Sequence, residues 1–350
     1  MKTIVTGGAG FIGSNLVRHL LKDESNHVLN IDKLCFPGSI HTLDDLSDHS
    51  RYRHEVEDIV DTEAMQNLLA DFSPDAIIHL AAESHVDRSI DGPDTFIHSN
   101  IVGTFSLLEA FRKYHGDATP ARKAELRFVH VSTDEVYGSL GESDPAFKEN
   151  HPYAPNSPYS ASKASSDHLV RAWHATYKLP VLITNCSNNY GPYQFPEKLI
   201  PVVITKAMAG ESIPVYGKGE NVRDWLYVDD HVRAIELVLN KGVPGESYNI
   251  GANTEVSNLE LVKMICDLLD KIRPARDSYH KLIKFVDDRP GHDLRYAMDS
   301  TKIESELGWS AEQQFHEGLL KTVNWYIDNQ LWCEKVSSGS YSGQRLGLGK

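Results

Sequence analysis

The first half of the chain alternates short apolar runs with amphipathic stretches. A strand at Lys2 to Thr6 leads to an apolar-periodic helix, Ser14 to Leu21, and then to a second strand, His27 to Ile31. A third strand, Arg51 to Glu57, precedes a helix at Thr62 to Ala70. The fourth, Ala76 to Ala82, is apolar throughout, which suits a parallel strand covered on both faces. A long helix from Pro93 to Lys113, a fifth strand from Leu126 to Ser132, a helix carrying Tyr159 to Tyr177 and a sixth strand from Val181 to Cys186 complete the series. This order predicts a doubly wound parallel α/β sheet.

The pattern changes after residue 187. Polar and aromatic residues cluster in loops, among them Asn188 to Tyr193, Pro196 to Pro201 and Val215 to Asp230. A helix follows at His231 to Leu239, and the apolar strand Glu246 to Ile250 is expected to return to the first sheet. Ser257-Asn-Leu-Glu260 is a capping box opening a helix to Ile272. A strand at Lys281 to Asp287, and a helix opened by Ser310-Ala-Glu-Gln313 and running to Asp328, come next. The expected organisation is a Rossmann-like domain over residues 1–187, a smaller mixed α/β substrate domain over 188–330, and a disordered tail over 331–350, Gly/Ser-rich from Ser337 onward.

With 350 residues, 41% of them hydrophobic, the chain can bury a sizeable core. A formal net charge of −14 argues against a nucleic-acid-binding surface but leaves room for a local phosphate pocket. No run approaches the roughly 18 apolar residues of a membrane span, and no leader pattern precedes the first strand. The four cysteines lack metal or CxxC spacing. Seventeen histidines include no HExxH pair, so no metal is expected. These features predict a cytoplasmic protein with free thiols.

Glycines at 7, 10 and 13 follow the first strand and open the first helix. Gly7 permits the turn, Gly10 lets backbone approach a pyrophosphate, and Gly13 lets helix and strand pack closely. Asp32 ends the second strand, where it can accept hydrogen bonds from ribose hydroxyls and repel a 2′-phosphate. NAD is favoured over NADP, with Lys33 the one neighbour that softens the choice. Asp58 has two readings, a contact to the adenine amino group or a cap for the next helix. Ser84 and His85 follow the fourth strand at the ligand-binding edge of the sheet.

Thr133, Asp134 and Glu135 close the fifth strand, and Tyr159 and Lys163 stand four residues apart on one helix face. A Tyr–Lys pair suits alcohol oxidation by a nicotinamide. The adjacent acids become useful when the oxidised sugar must then lose water. Arg223 and Arg289 are the candidate phosphate partners.

With the glycine loop, Ser132-Thr-Asp-Glu-Val-Tyr-Gly138 and Tyr159-Ser-Ala-Ser-Lys163 in order, the chain resembles the extended short-chain dehydrogenases/reductases, and within them the dTDP-glucose 4,6-dehydratases. The match runs from Lys2 to about Asp328 and includes Asn188 to Pro201, Lys218 to Trp225 and Arg289 to Tyr296. The acid pair separates it from sugar epimerases. The resemblance implies that Tyr159, its pKa lowered by Lys163 and the nicotinamide charge, deprotonates the 4-hydroxyl. It implies that Thr133 binds the C4 oxygen, Glu135 takes the C5 proton and protonated Asp134 serves the departing C6 hydroxyl. For the cofactor it adds Phe11, Ile12, Ile59, Leu80, Ala81, Ala82 and Asn100. For a nucleotide sugar it implies Ser84, His85, Asn188, Glu197, Lys198, Leu199, Tyr216, Arg223, Asn258, Arg289, His292 and Tyr296. It also implies redox-neutral conversion of dTDP-glucose to its 4-dehydro-6-deoxy product for deoxysugar synthesis, by a homodimer packed through helices 93–113 and 159–177. Two other readings compete: a dehydratase or epimerase of a UDP- or GDP-sugar, and a non-enzymatic NAD sensor. The sensor needs neither the Tyr–Lys pair nor the acids.

Overall fold

The computed structural model describes residues 1–35 and 39–337. Its centre is a seven-stranded sheet built from β1 (Lys2–Thr6), β2 (His27–Ile31), β3 (Tyr52–Glu55), β4 (Ala76–His79), β5 (Arg127–Thr133), β6 (Val181–Cys186) and, from later in the chain, Ser247–Ile250. Every pairing in it is parallel, and the strand order reverses between β1 and β4, the switch point where doubly wound sheets bind ligands. β4 stops three residues before the expected end. Leu80 to Ala82 follow it as a loop that passes so close to Gly7 that a Cβ there would lie 2.6 Å from the Ala81 nitrogen.

Outside this sheet, β7 (Asn188–Tyr190) runs parallel to β9 (Val222–Tyr227), with β11 (Glu255–Ser257) antiparallel on the other side. β8 (Ile213–Tyr216) pairs with β12 (Ile283–Val286). The segment Ser247–Ile250 is β10. A second core forms around these strands from Ile200, Val203, Ile204, Leu261, Ile265, Leu319 and Val323. The two regions interleave in sequence. Helix Val228–Lys241 places Val232, Ile235 and Val238 in the same buried cluster as Leu16, Val17 and Leu20, and Ile303, Leu307 and Trp309 join them.

Several expectations need correction. The helix from Pro93 onward is not uniform: a π-helical stretch, Ile97–Val102, separates Asp94–Phe96 from Gly103–Asp117. π segments concentrate at functional sites, and this one carries Asn100. The helix expected to open at Ser310 begins at Phe315. The Glu312 and Gln313 amides donate instead to the Asp230 carboxylate, 3.1 and 2.9 Å away, which holds that stretch out of the helix. The tail is not disordered from 331. Gln330–Ser337 is a helix that buries Trp332, Cys333 and Val336 against the second core, and residues 338–350 lie outside the described residues. Among the described residues, no helix is long and apolar enough to cross a membrane.

Candidate active site

Two adjoining cavities lie above the carboxyl ends of β1, β4, β5 and β6, and Glu135, Asn188 and Lys198 line both. The first runs from the glycine loop to the Tyr159 helix. Gly7 has φ +75°, which a side chain rarely adopts. A Cβ on Gly13 would meet the Gly7 carbonyl at 2.2 Å. Helix Phe11–Leu21 starts at Gly10 with no side chain capping its first amides, leaving them to face an anion. Asp32 is fixed by the Ala9 and Leu34 amides at 3.0 and 2.9 Å, so it ties the glycine loop to the end of β2. Phe11, Ile12, Lys33, Asp58, Ile59, Leu80, Ala81, Ala82 and Ser84 line the same cavity. Of the two readings of Asp58, the helix cap falls away: Asp61 caps helix Thr62–Phe72, while Asp58 accepts from the Val60 amide and pairs with Lys33 at 3.4 Å.

Asn100 stands behind the wall rather than in it. It accepts from the Glu83 amide at 2.8 Å and donates to the Glu83 carbonyl and to Ser162 Oγ at 3.0 and 2.8 Å. The loop after β4 is thereby clamped to the helix bearing Tyr159. That helix, Pro158–Tyr177, begins on a reciprocal Ser157–Ser160 cap with Pro158 in its first turn, where proline's missing N–H costs nothing.

Thr133 ends β5, and Asp134 and Glu135 enter a 3-10 turn, Asp134–Tyr137. Thr133 Oγ1 donates to Asp134 Oδ1 at 3.0 Å, and the buried Asp134 Oδ2 has no partner within the protein. Burial, with the adjacent Glu135 charge, raises the Asp134 carboxyl to about 8. Burial also raises Glu135, but Arg289, Arg223 and Lys198 act against it. Two environments therefore separate two neighbouring acids, one held as a proton donor and the other kept closer to ionisation. Burial and the Glu135 charge push the Tyr159 phenol well above the ordinary range, and the lowered value that the resemblance implies includes the nicotinamide charge. Lys163 donates to the Val131 carbonyl at 2.9 Å, while the Glu135 and Asp134 charges act on the phenol in the raising direction.

The second cavity is lined by His85, Glu197, Leu199, Tyr216, Arg223, Asn258, Arg289 and His292. Lys198 Nζ donates to the Ser84 carbonyl at 3.0 Å. Burial and nearby cations drive His85 down to about 2, and burial with Arg289 takes His292 to about 4, so both rings are neutral near pH 7. Arg289 Nε is buried without a partner, which fits an anion that accepts from it. Tyr296, like Asn100, supports from behind. Its ring lies under the Arg223 guanidinium at 4.3 Å, and its hydroxyl donates to Asp293 at 2.5 Å.

Asp87 and Arg88 escaped the sequence reading. Asp87 receives both the Arg289 guanidinium and, at 3.3 Å, the Tyr216 hydroxyl, while Arg88 pairs with the buried Glu197 at 3.2 Å. Their place beside Ser84 and His85 was the available signal.

The GDP-mannose 4,6 dehydratase family model matches residues 4–322. A dTDP-glucose 4,6-dehydratase of Escherichia coli is 54% identical over 360 residues, covering 99% of each chain. The dTDP-glucose 4,6-dehydratase of Streptomyces venezuelae, solved with NAD bound, superposes with a TM-score of 0.88 at 44% identity, covering 96% of this chain and all of that one (100%). The Bacillus anthracis enzyme, also solved in complex with NAD, gives 0.85 at 44% identity, covering 96% of this chain and 99% of that one. The chain belongs to the dTDP-glucose 4,6-dehydratases.

Proposed function

We propose that the chain converts dTDP-glucose to dTDP-4-dehydro-6-deoxyglucose and water, with NAD seated in the first cavity and the nucleotide sugar in the second. The observation that carries this reading is the joint between the cavities, where Glu135 faces both and Asp134 beside it is protonated near neutrality. The residues of the first cavity fit a dinucleotide: uncapped helix amides for the pyrophosphate and Asp32 for the ribose. Bound NAD supplies the acceptor and later the donor of the hydride, and its charged nicotinamide the positive charge that the phenol of Tyr159 lacks.

Tyr159 takes the proton of the sugar 4-hydroxyl, and Thr133 steadies the oxygen at C4. Once C4 is a ketone, the C5 hydrogen is acidic. Glu135 removes it, Asp134 delivers its proton to the departing C6 hydroxyl, and Glu135 later returns a proton to C5. Arg223, Arg289 and Lys198 converge on the second cavity to hold the diphosphate, and Asn258 and Asn188 add neutral contacts. An epimerase on the same sheet needs no acid pair at this place.

The active form is a homodimer packed through helices Gly103–Asp117 and Pro158–Tyr177, in the cytoplasm. Exposed Phe105 and Tyr177 on these helices, with Ile97 and Val102 on the π-helical stretch before the first, support that face, and the free thiols fit a reducing compartment. Incubating the purified protein with dTDP-glucose and with UDP-glucose, followed by mass spectrometry, tests the reading. Loss of one water from the dTDP-sugar, well ahead of the UDP-sugar, is expected. Intact dTDP-glucose in the presence of NAD would sink it.

A further inference from the structure

Behind Tyr159 and Lys163 lies a polar cluster sealed from solvent that the reaction above leaves without a role. Lys163, His130 and Asp167 are all buried, and the latter two are 0% exposed. One nitrogen, His130 Nε2, stands 3.4 Å from Lys163 Nζ and 3.2 Å from both Ser166 Oγ and Asp167 Oδ1. His130 Nδ1 is buried without a partner. A proton on Nε2 would face the Asp167 carboxylate and the Ser166 hydroxyl oxygen. Asp167 Oδ2 meanwhile accepts from Ser132 Oγ at 2.9 Å, Tyr153 hydroxyl at 2.8 Å and Asn185 Nδ2 at 3.3 Å.

We infer that Asp167 is a positioning residue of the Tyr159–Lys163 pair: its carboxylate is the buried counter-charge that keeps Lys163 ionised and pinned to the Val131 carbonyl. The inference rests on the role of base proposed for Tyr159, with Lys163 as its cationic neighbour one helical turn on. Other titratable groups around the ammonium do not supply the charge. His130 from β5 and His79 from β4 are both driven neutral by burial and by Lys163 itself, His130 to about 4. Cys186 from β6 is a thiol pushed up by burial beyond ordinary working pH. Tyr153 is likewise kept as a phenol, with Arg171 donating to its hydroxyl at 2.9 Å on the far side. Burial lowers Lys163 from its ordinary value, and Asp167 is the first influence opposing that. Burial also acts on Asp167, yet His130, Lys163 and Ser132 outweigh it and hold the carboxylate ionised.

The test is a cycle of Asp167→Asn, Lys163→Met and the double variant in the full-length protein, read first as thermal midpoints without substrate. A buried charge left alone is costly, so each single variant is expected to melt lower, and the double variant above the sum of the two losses. Strictly additive losses overturn the inference, and this readout stands even if dTDP-glucose proves not to be the substrate. In turnover, Asp167→Asn is expected to move the acid limb of the kcat/KM profile upward by about one pH unit, a roughly tenfold loss at fixed pH on that limb. KM for the sugar should hold, and Asp167→Glu should restore the limb. A limb that stays put or moves down in a folded Asp167→Asn protein also overturns it.

Discussion

Thr133 gives its hydroxyl proton to one oxygen of Asp134 and leaves the other oxygen buried and unmatched. A carboxylate in that place would have one charge-bearing atom with nothing to answer it. A carboxylic acid can direct its own O–H into the cavity. The pair thus sets the acid's protonation and its aim together.

The first prediction concerns pH. Asp134 stands at about 8 in the folded chain against an ordinary 3.8. Because the folded value is raised, the protonated group favours folding below the ordinary value, and that contribution is lost as pH rises through about 8. The change is roughly 1.4 kcal/mol per pH unit across that window. Asn has no proton to lose. Asp134→Asn should therefore flatten the fall of the melting temperature with pH, and melt above the parent near pH 8. Turnover of the parent should decline on the alkaline side as the acid is spent. A melting profile unchanged by the substitution would count against a buried proton at this site.

Asp134→Asn and Glu135→Gln should both stop the reaction after oxidation. Each side chain acts on the ketone stage, so reduced cofactor should appear in a single turnover and persist, with the sugar trapped as a 4-keto species. Stopped-flow absorbance of the reduced nicotinamide checks this. Two variants that never reduce the cofactor would mean that the division of labour among the three side chains is wrong.

Tyr159→Phe should abolish oxidation while sugar binding, measured by calorimetry, stays nearly intact. The phenol oxygen is needed for proton removal and for little else, so the deficit should fall on kcat. Turnover retained within about tenfold, roughly 1.4 kcal/mol, would assign the base elsewhere.

Asp32 should enforce NAD over NADP, since a 2′-phosphate would meet a half-buried carboxylate already held by the Ala9 and Leu34 amides. Asp32→Ala should narrow the preference and also loosen the glycine loop, lowering the melting temperature by the equivalent of about 1–3 kcal/mol. Comparable affinities of the parent for both cofactors, by fluorescence titration, would remove the argument.

Substrate deuterated at C4 should yield product with that deuterium at C6 of the same molecule, and heavy water should label C5 through Glu135. A mixture of labelled and unlabelled substrate, read by mass spectrometry, shows whether the label crosses between molecules. Crossover would mean that the cofactor exchanges during the cycle. Deuterium remaining at C4 would indicate a different reaction.

The sequence revealed the sheet because parallel strands buried on both faces must be apolar almost throughout, as Ala76 to His79 are. It revealed the glycine loop and the Thr133 to Glu135 turn because their chemistry is local. It did not reveal the π-helical stretch Ile97–Val102, within which Asn100 grips Glu83 and Ser162 across the fold. Asn100 and Tyr296 drew attention as contacts, yet each acts one layer back, a distinction that only three-dimensional packing makes. The start of helix Phe315–Asp328 was hidden because Asp230, some eighty residues earlier, takes the amides of Glu312 and Gln313. The raised phenol of Tyr159 was hidden too, because it follows from burial and from the Glu135 charge that the fold brings beside it.

β10 reaches the edge of the central sheet from residues 247–250, beside β6, and helix Val228–Lys241 covers the same region. On the ribosome, the first six strands emerge well before either. Until then β6 is a bare apolar edge, its outer amides and carbonyls free to pair with another nascent chain. The interval between residue 186 and residue 250 is thus the hazardous stretch of translation, and a fragment cut near residue 187 would inherit the same sticky edge permanently.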